Sequence, residues 1–505
     1  MLAKVFSGAT VGLDGVLITV EVDVAERGFP GFTIVGLPDK SVDEAKERVR
    51  AAIVNTSFEM PDTRLTVNLA PADIHKVGSA FDLPIAVGIL SAAGMIKKES
   101  LKNSLFLGEL SLEGEIRRVP GVLSISLLAR SKKINNVFVP LNNINEAALV
   151  DGIEVFPVKN LGELALHLNG EISITPHPHE KFILQPDSEE NYLFENIKGQ
   201  ETAKRACEIA AAGFHNLIFK GPPGTGKTLL SRAFPSILPP LDREEILEIT
   251  KIYSVTGLTK DSHYISSRPF RSPHHTTSRI GLVGGGSNPS PGEISLAHRG
   301  VLFLDEFSEF PRTVLESLRQ PIEDGMITIS RAQGSLTFPC RFLLLAASNP
   351  CPCGYLGHPK KSCRCLPGAV LKYKKRLSGP LLDRIDLHVD VPPVEENDLI
   401  TDSLAESSKM IRGRVVKAIN KQKQRFKSLK IHTNGEMGPA EIKKFTRLSK
   451  QALDLMKQAI SRLSLSARSY FKTIKIAQTI TDLNGKEIIE STAVAEALQF
   501  RSHDD

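Results

Sequence analysis

Gly221-Pro222-Pro223-Gly224-Thr225-Gly226-Lys227-Thr228 fits G-x-x-x-x-G-K-[ST]. In that pattern backbone N–H groups of a glycine-rich loop cradle phosphates, a Lys reaches the outer phosphates and a hydroxyl helps hold Mg²⁺. The flanking sequence suits the reading. Asn216-Leu217-Ile218-Phe219 is an apolar run of strand length, and Leu229 to Leu238 reads as an apolar helix whose N-terminus faces the phosphates. An ordinary Gly/Pro turn needs neither neighbour, so the stretch predicts an α/β core that binds a nucleotide with Mg²⁺.

Two later runs belong with the loop. Val301-Leu302-Phe303-Leu304-Asp305-Glu306 is an apolar strand ending in two carboxylates. Alone it would be a strand meeting solvent; after a phosphate loop it places Asp305 to hold Mg²⁺ with Thr228, and Glu306 to orient and deprotonate the attacking water. Phe342 to Ser348 is another buried strand, and the Asn349 that ends it either senses the γ-phosphate or caps a turn.

The chain has 505 residues, too many for one domain, and is 41% hydrophobic and 24% charged, as expected of a globular protein with ample core. Its first residues carry no long apolar run behind Lys4, and no stretch approaches the roughly 18 apolar residues of a membrane span, so a cytoplasmic protein without a membrane partner is expected. Six cysteines, four of them between 351 and 365, describe a local site rather than a disulfide framework. The net charge of +6 permits nucleic-acid binding without demanding it.

GPPGTGKT, LFLDE and AASN are followed by Gly379-Pro380-Leu381-Leu382-Asp383-Arg384-Ile385-Asp386 and, in a helical tail, by Leu465-Ser466-Ala467-Arg468. In this order they resemble the AAA+ ATPases, in particular the magnesium-chelatase-like branch. The resemblance implies that the nucleotide is ATP, that Arg384 is an arginine finger reaching a neighbour's nucleotide and that Arg468 is the second sensor of a helical lid; a finger acting in trans implies a ring, a homo-hexamer. It also implies that Arg268 to Gly286, which contains His274 and His275, is a helix-two insert, and that Met326–Arg331 and Ser335–Phe338 form a hairpin, both projecting towards a pore to grip substrate. For the two histidines a metal pair is the alternative, although no Cys or acid lies beside them in sequence.

Ile34-Val35-Gly36-Leu37-Pro38-Asp39, His75 to Pro84 (HKVGSAFDLP) and Gly108 to Gly114 (GELSLEG) resemble the front domain of the YifB/ComM family, itself similar to the Lon protease domain with a ribosomal-S5-like fold. The matching puts Ala80 at the nucleophile position and Leu123 at that of the catalytic Lys, which implies a protease-dead scaffold. Lys76 with Ser79 is the other dyad to weigh.

Cys351-Pro352-Cys353 and Cys363-Arg364-Cys365 set two C-x-C pairs across a nine-residue loop. Four thiolates suit a structural Zn²⁺; reduced structural cysteines and a redox pair are the alternatives. Residues 358–376 carry seven Lys or Arg and 409–430 nine, with no acid in either run. Such runs are solvated faces or sites for nucleic-acid backbone.

The sequence thus predicts an α/β multidomain protein: a Lon-protease-like, S5-like α+β N-terminal domain (1–170), a linker (171–193), an AAA+ P-loop α/β core (194–393) and a C-terminal helical lid (394–505). The resemblance implies an ATP-driven helicase or branch-migration motor acting on single-stranded and branched DNA in homologous recombination during natural transformation, alongside recombination proteins. Arg271, Arg331, Lys360, Lys361, Lys374 and Lys375 are the candidate DNA contacts. A magnesium-chelatase-type motor subunit and an ATP-dependent protease are the alternatives.

Overall fold

The apolar runs that the sequence marks as strands are buried on both faces, as parallel strands covered by helices must be. Val301–Leu304 and Leu343–Ser348 are buried at every position, and Leu217–Lys220 at all but its last. The computed structural model describes residues 1–179, 192–259, 264–286, 289–331, 334–394, 405–429 and 431–501. Most of the linker reading at 171–193 therefore lies outside the described residues, as do the start of the expected lid and Lys430.

The chain divides into two compact units. One contains Met1–Ile183 together with Asp242–Ser266, and the other Leu184–Leu241 with Ser267–Asp505. Segment 242–266, expected inside the ATPase core, thus belongs to the front unit. Its helix Arg243–Val255 starts on a capping box between Asp242 and Glu245. Leu247 joins an apolar cluster containing Leu105, Val122 and Leu123. The Ser254 hydroxyl donates to the buried Glu146, Ser254 O accepts from Gly121 N at 3.1 Å, and Lys251 pairs with Asp14 at 2.7 Å.

The front unit is built on a seven-stranded mixed sheet in the order Gly31–Val35, Arg64–Ala70, Asp14–Val24, Leu2–Val11, Ser104–Phe106, Asn136–Pro140, Glu154–Val158. Asp14–Val24 runs antiparallel to both its neighbours, and the remaining pairings are parallel. Along it Ile18, Val20 and Val22 are buried at period two, which fixes the register. Helices Lys40–Asn55, Asp82–Ala92 and Val122–Ser131 supply the rest of the core.

The second unit holds a five-stranded parallel sheet in the order Phe270–Arg271, Val301–Leu304, Leu343–Ser348, Leu217–Lys220, Leu387–Asp390. Phe270–Arg271, expected as part of a projecting insert, is the edge strand of this sheet, with Phe270 opposite Val301. The helix after the phosphate loop is shorter than its apolar run suggests. It spans Lys227–Ala233 and tightens into a 3₁₀ turn at Phe234–Ile237, where Pro235 has no N–H to continue the ladder.

Helices Ser408–Arg425, Pro439–Phe445, Lys450–Leu463, Ala467–Leu483 and Ser491–Gln499 form the helical tail, and they share one apolar core with the sheet. Arg425 grips Asp482 through both guanidinium nitrogens at 2.8 and 2.5 Å. Gln422, fully buried, bonds Ala212 O and Asn434 N at 2.8 and 2.7 Å. Part of the second basic run is therefore internal to the fold.

Candidate active site

Strand register brings the three motifs together. Lys220 lies opposite Ser348, and Leu304 opposite Ala346, so the residues that follow all leave the sheet at one edge. Ligands of open α/β sheets bind beyond the carboxyl ends of their strands. Gly221 sits so close to Val391 that a Cβ would lie 2.2 Å from its carbonyl oxygen. Gly224 and Gly226 adopt φ of +79° and +91°, which turn the loop into the helix at Lys227. Pro223, Gly224 and Thr228 are exposed, while Thr225 is buried and donates to Pro222 O at 3.1 Å.

Lys227 Nζ donates to Gly221 O and Pro222 O, both at 2.7 Å, and to Asn349 Oδ1 at 3.3 Å. Burial pushes this ammonium below its ordinary range, against the opposing charge of Asp305. Thr228 Oγ1 donates to Asp305 Oδ2 at 2.9 Å. A hydroxyl and a carboxylate in contact at the mouth of a glycine loop are the hard oxygen donors that Mg²⁺ takes, and they fit that ion. Glu306 projects next to them with φ +50°, a conformation that a Glu rarely adopts. Its N–H is held by Asp305 Oδ1 at 2.9 Å and its Oε2 lies 3.0 Å from His275 Nδ1. Ser308 and Ser348 share a buried hydroxyl bond of 2.7 Å that ties the Asp-Glu turn to the Asn349 strand.

Family models match the chain in three stretches: one described as magnesium chelatase, subunit ChlI, over residues 193–399, another as subunit ChlI of Mg-chelatase over 20–143, and a third as the ChlI C-terminal part over 405–501. Competence protein ComM of Haemophilus influenzae is 42% identical over 99% of this chain and 97% of that protein. The YifB proteins of Salmonella typhimurium and Escherichia coli are each 40% identical over 100% of this chain and 97% of theirs. The chain belongs to the YifB/ComM family of magnesium-chelatase-like AAA+ ATPases.

Within this YifB/ComM ATPase, the two arginines expected to act on nucleotide stand together on one carboxylate and line a cavity that Lys227 does not line. Arg384 donates to Glu323 Oε2 and Arg468 to Glu323 Oε1, both at 2.8 Å. Partial burial alone would raise the Glu323 carboxyl, but the hydrogen bonds from Arg384 and Arg468 outweigh it and hold the group below its ordinary range. Both arginines line one cavity with Glu323, whereas the cavity beside the phosphate loop is lined by Gly221, Pro222, Asn349 and Tyr373 among others and by neither arginine. Glu323 carries no motif. Nothing in the sequence points to it except its place one turn before the hairpin.

The cysteine loop of this YifB/ComM chain brings its four sulfurs to within 4.8 Å of one another. Backbone N–H groups of Tyr355 and Arg364 donate to Cys353 and hold its thiol down at about 6. The hairpin forms as expected from Met326–Arg331 and Gly334–Pro339; the side chain of Arg331 is outside the described residues. The remaining DNA candidates divide. Arg271 is tied to Glu293 by two hydrogen bonds of 2.6 and 2.7 Å, which brace the sheet edge. Lys360, Lys361, Lys374 and Lys375 are exposed on the cysteine loop and the helix after it, with Lys361 Nζ 5.0 Å above the Tyr355 ring.

In the front unit the three stretches that carry the family resemblance meet. Asp39 N donates to Lys76 O at 3.1 Å, Gly78 N to Asp39 at 3.4 Å, and the Ser79 hydroxyl to Glu109. Lys76 and Ser79 do not pair with each other, because the fully buried Lys76 ammonium donates to Pro71 O. Leu123 is buried in the apolar cluster against which Ala80 packs. No helix among the described residues is long and apolar enough to cross a membrane.

Proposed function

We propose that this AAA+ ATPase is a ring-forming motor, a homo-hexamer that spends ATP to move single-stranded and branched DNA as a helicase or branch-migration factor. Its place is in homologous recombination during natural transformation. The observation that carries the reading is that Arg384 and Arg468 line a cavity other than the one beside the chain's own phosphate loop, within a chain 42% identical throughout to a competence protein. In this reading the groups that hydrolysis requires are complete only when a second copy offers its Arg384.

In this reading the loop Gly221–Thr228 binds the phosphates through its N–H groups, and Lys227 exchanges its loop carbonyls for phosphate oxygens. Thr228 and Asp305 hold Mg²⁺, which when bound neutralises charge on the phosphates. Glu306 takes a proton from water, and Asn349 reports on the outer phosphate. Arg384 stabilises charge across the subunit boundary, and Arg468 senses nucleotide state as the second sensor of the helical lid. The hairpin and the Lys360, Lys361, Lys374 and Lys375 surface contact the DNA backbone without reading its sequence. The front unit is a Lon-like, S5-like scaffold without protease activity, since Ser79 and Lys76 are committed to other partners. The four thiols of the cysteine loop take a structural Zn²⁺.

ATP hydrolysis measured with and without single-stranded and forked DNA, with Lys227→Ala as blank, tests the motor. Stimulation by DNA that falls as salt rises supports it. Hydrolysis indifferent to DNA at low salt sinks it, and favours the chelatase-type reading that the family models raise, in which a partner protein is remodelled.

A further inference from the structure

The segment from Cys351 to Cys365 forms neither helix nor strand, and only Cys351 and Gly354 in it are buried. So short and exposed a stretch has no apolar core to hold its shape. Its sulfurs nevertheless converge, with Cys351–Cys353 at 3.4 Å, Cys353–Cys363 at 3.6 Å and Cys351–Cys363 at 3.7 Å. None is in a disulfide, whose sulfurs would lie about 2.05 Å apart. A tetrahedron with Zn–S bonds of about 2.3 Å has edges of about 3.8 Å, which is the spacing approached here.

This thiol site is joined to the phosphate loop in two ways. Cys351 follows Asn349 by two residues, and Asn349 accepts from Lys227. Gly354, at φ +82°, lies so close to Pro223 that a Cβ would meet its Cδ at 2.6 Å and its Cγ at 3.1 Å. The Gly354 N–H donates to Cys351 O at 2.9 Å, so the turn between two of the thiols is the surface that Pro223 rests on.

We infer that Zn²⁺ on Cys351, Cys353, Cys363 and Cys365 clamps the phosphate loop through the Gly354–Pro223 contact, so that metal occupancy of the cysteine loop sets nucleotide affinity. The inference rests on the zinc reading given above. With the metal in place, bonds to Cys351 and Cys353 would fix the Cys351–Gly354 turn, and those to Cys363 and Cys365 would tie it to the far end of the loop. Without it the thiols have no reason to stay together, the turn leaves Pro223, and the loop loses the support that keeps its N–H groups directed at phosphate.

The test uses the full-length protein. Zinc is quantified with a chromogenic chelator after release by a mercurial reagent. Affinity for a fluorescent ATP analogue is measured before metal removal, after it, and after Zn²⁺ is returned. The expected results are one zinc per chain, affinity about tenfold weaker on removal, and recovery with Zn²⁺ but not with Mg²⁺. Gly354→Ala keeps all four thiols and probes the contact alone: zinc content stays the same and affinity falls by a similar factor. One zinc per chain with affinity unmoved both by its removal and by Gly354→Ala would overturn the clamp and leave the zinc reading intact. Absence of zinc, or thiols found as disulfides in active protein, would overturn both.

Discussion

His275 Nδ1 lies 3.0 Å from Glu306 Oε2, so the carboxylate that follows the Val301–Leu304 strand is held by a side chain from the segment after the neighbouring edge strand. The ring is itself fixed, 4.1 Å from that of His274 and edge-on to Phe310 at 6.4 Å. A base must point at its water before it can take a proton, and a misdirected one loses much of its contribution. His275→Ala is therefore expected to lower kcat for ATP about tenfold or more while nucleotide affinity stays unchanged, and His275→Asn to restore part of the loss. An unchanged kcat would mean that Glu306 is oriented by its backbone alone.

Glu323 is a carboxylate shared by Arg384 and Arg468. If Arg384 serves the neighbouring subunit, Arg384→Ala lowers hydrolysis about a thousandfold. Mixing that variant with Lys227→Ala then recovers activity, because some boundaries in the mixed rings combine an intact loop with an intact finger. Failure to recover would place Arg384 in its own subunit's chemistry. Glu323→Gln, which keeps the shape but removes the charge that aligns the pair, is expected to act in the same direction and less severely, with the assembly's size on gel filtration unaltered.

In the front unit Arg48 holds Asp82 by two hydrogen bonds of 2.7 and 3.0 Å, and the Asp82 side chain is fully buried. Burial raises the Asp82 carboxyl from its ordinary 3.8 to about 6, with Arg48 pulling the other way. A carboxyl that titrates higher in the folded state than in the unfolded one stabilises the fold below the unfolded value and loses that contribution as pH rises through the folded value. Arg48→Ala leaves the burial unopposed. It is expected to destabilise the front unit by about 3 kcal/mol at neutral pH and by less at pH 5, read from denaturant unfolding. Equal destabilisation at both values would show that the pair is not electrostatic in origin.

Much of the core was legible because strands, glycines and acids keep fixed spacings. GPPGTGKT, LFLDE and AASN each follow or end an apolar run of strand length, and the registers of Lys220 with Ser348 and of Leu304 with Ala346 bring the ends of those strands to one edge. What escaped were contacts between residues that no motif links. The Arg243–Val255 helix has an ordinary amphipathic sequence, and nothing local says that Leu247 packs in the front unit. Arg271 sits in a basic, proline-rich stretch that reads as a surface, but its partner Glu293 lies twenty-two residues on and turns it into a brace. Glu323 escaped for the same reason, since it acts on Arg384 and Arg468 from a position whose own neighbours are unremarkable; His275 stood in a distinctive insert, but nothing there linked it to Glu306.

ATP-dependent strand movement on a labelled three- or four-stranded DNA junction tests the central claim most directly. The wild-type protein with ATP and Mg²⁺ is expected to convert junction to product, with Lys227→Ala and Glu306→Gln inactive on the same substrate. A protein that hydrolyses ATP yet leaves the junction unmoved at low salt, with binding to it confirmed, would contradict the account.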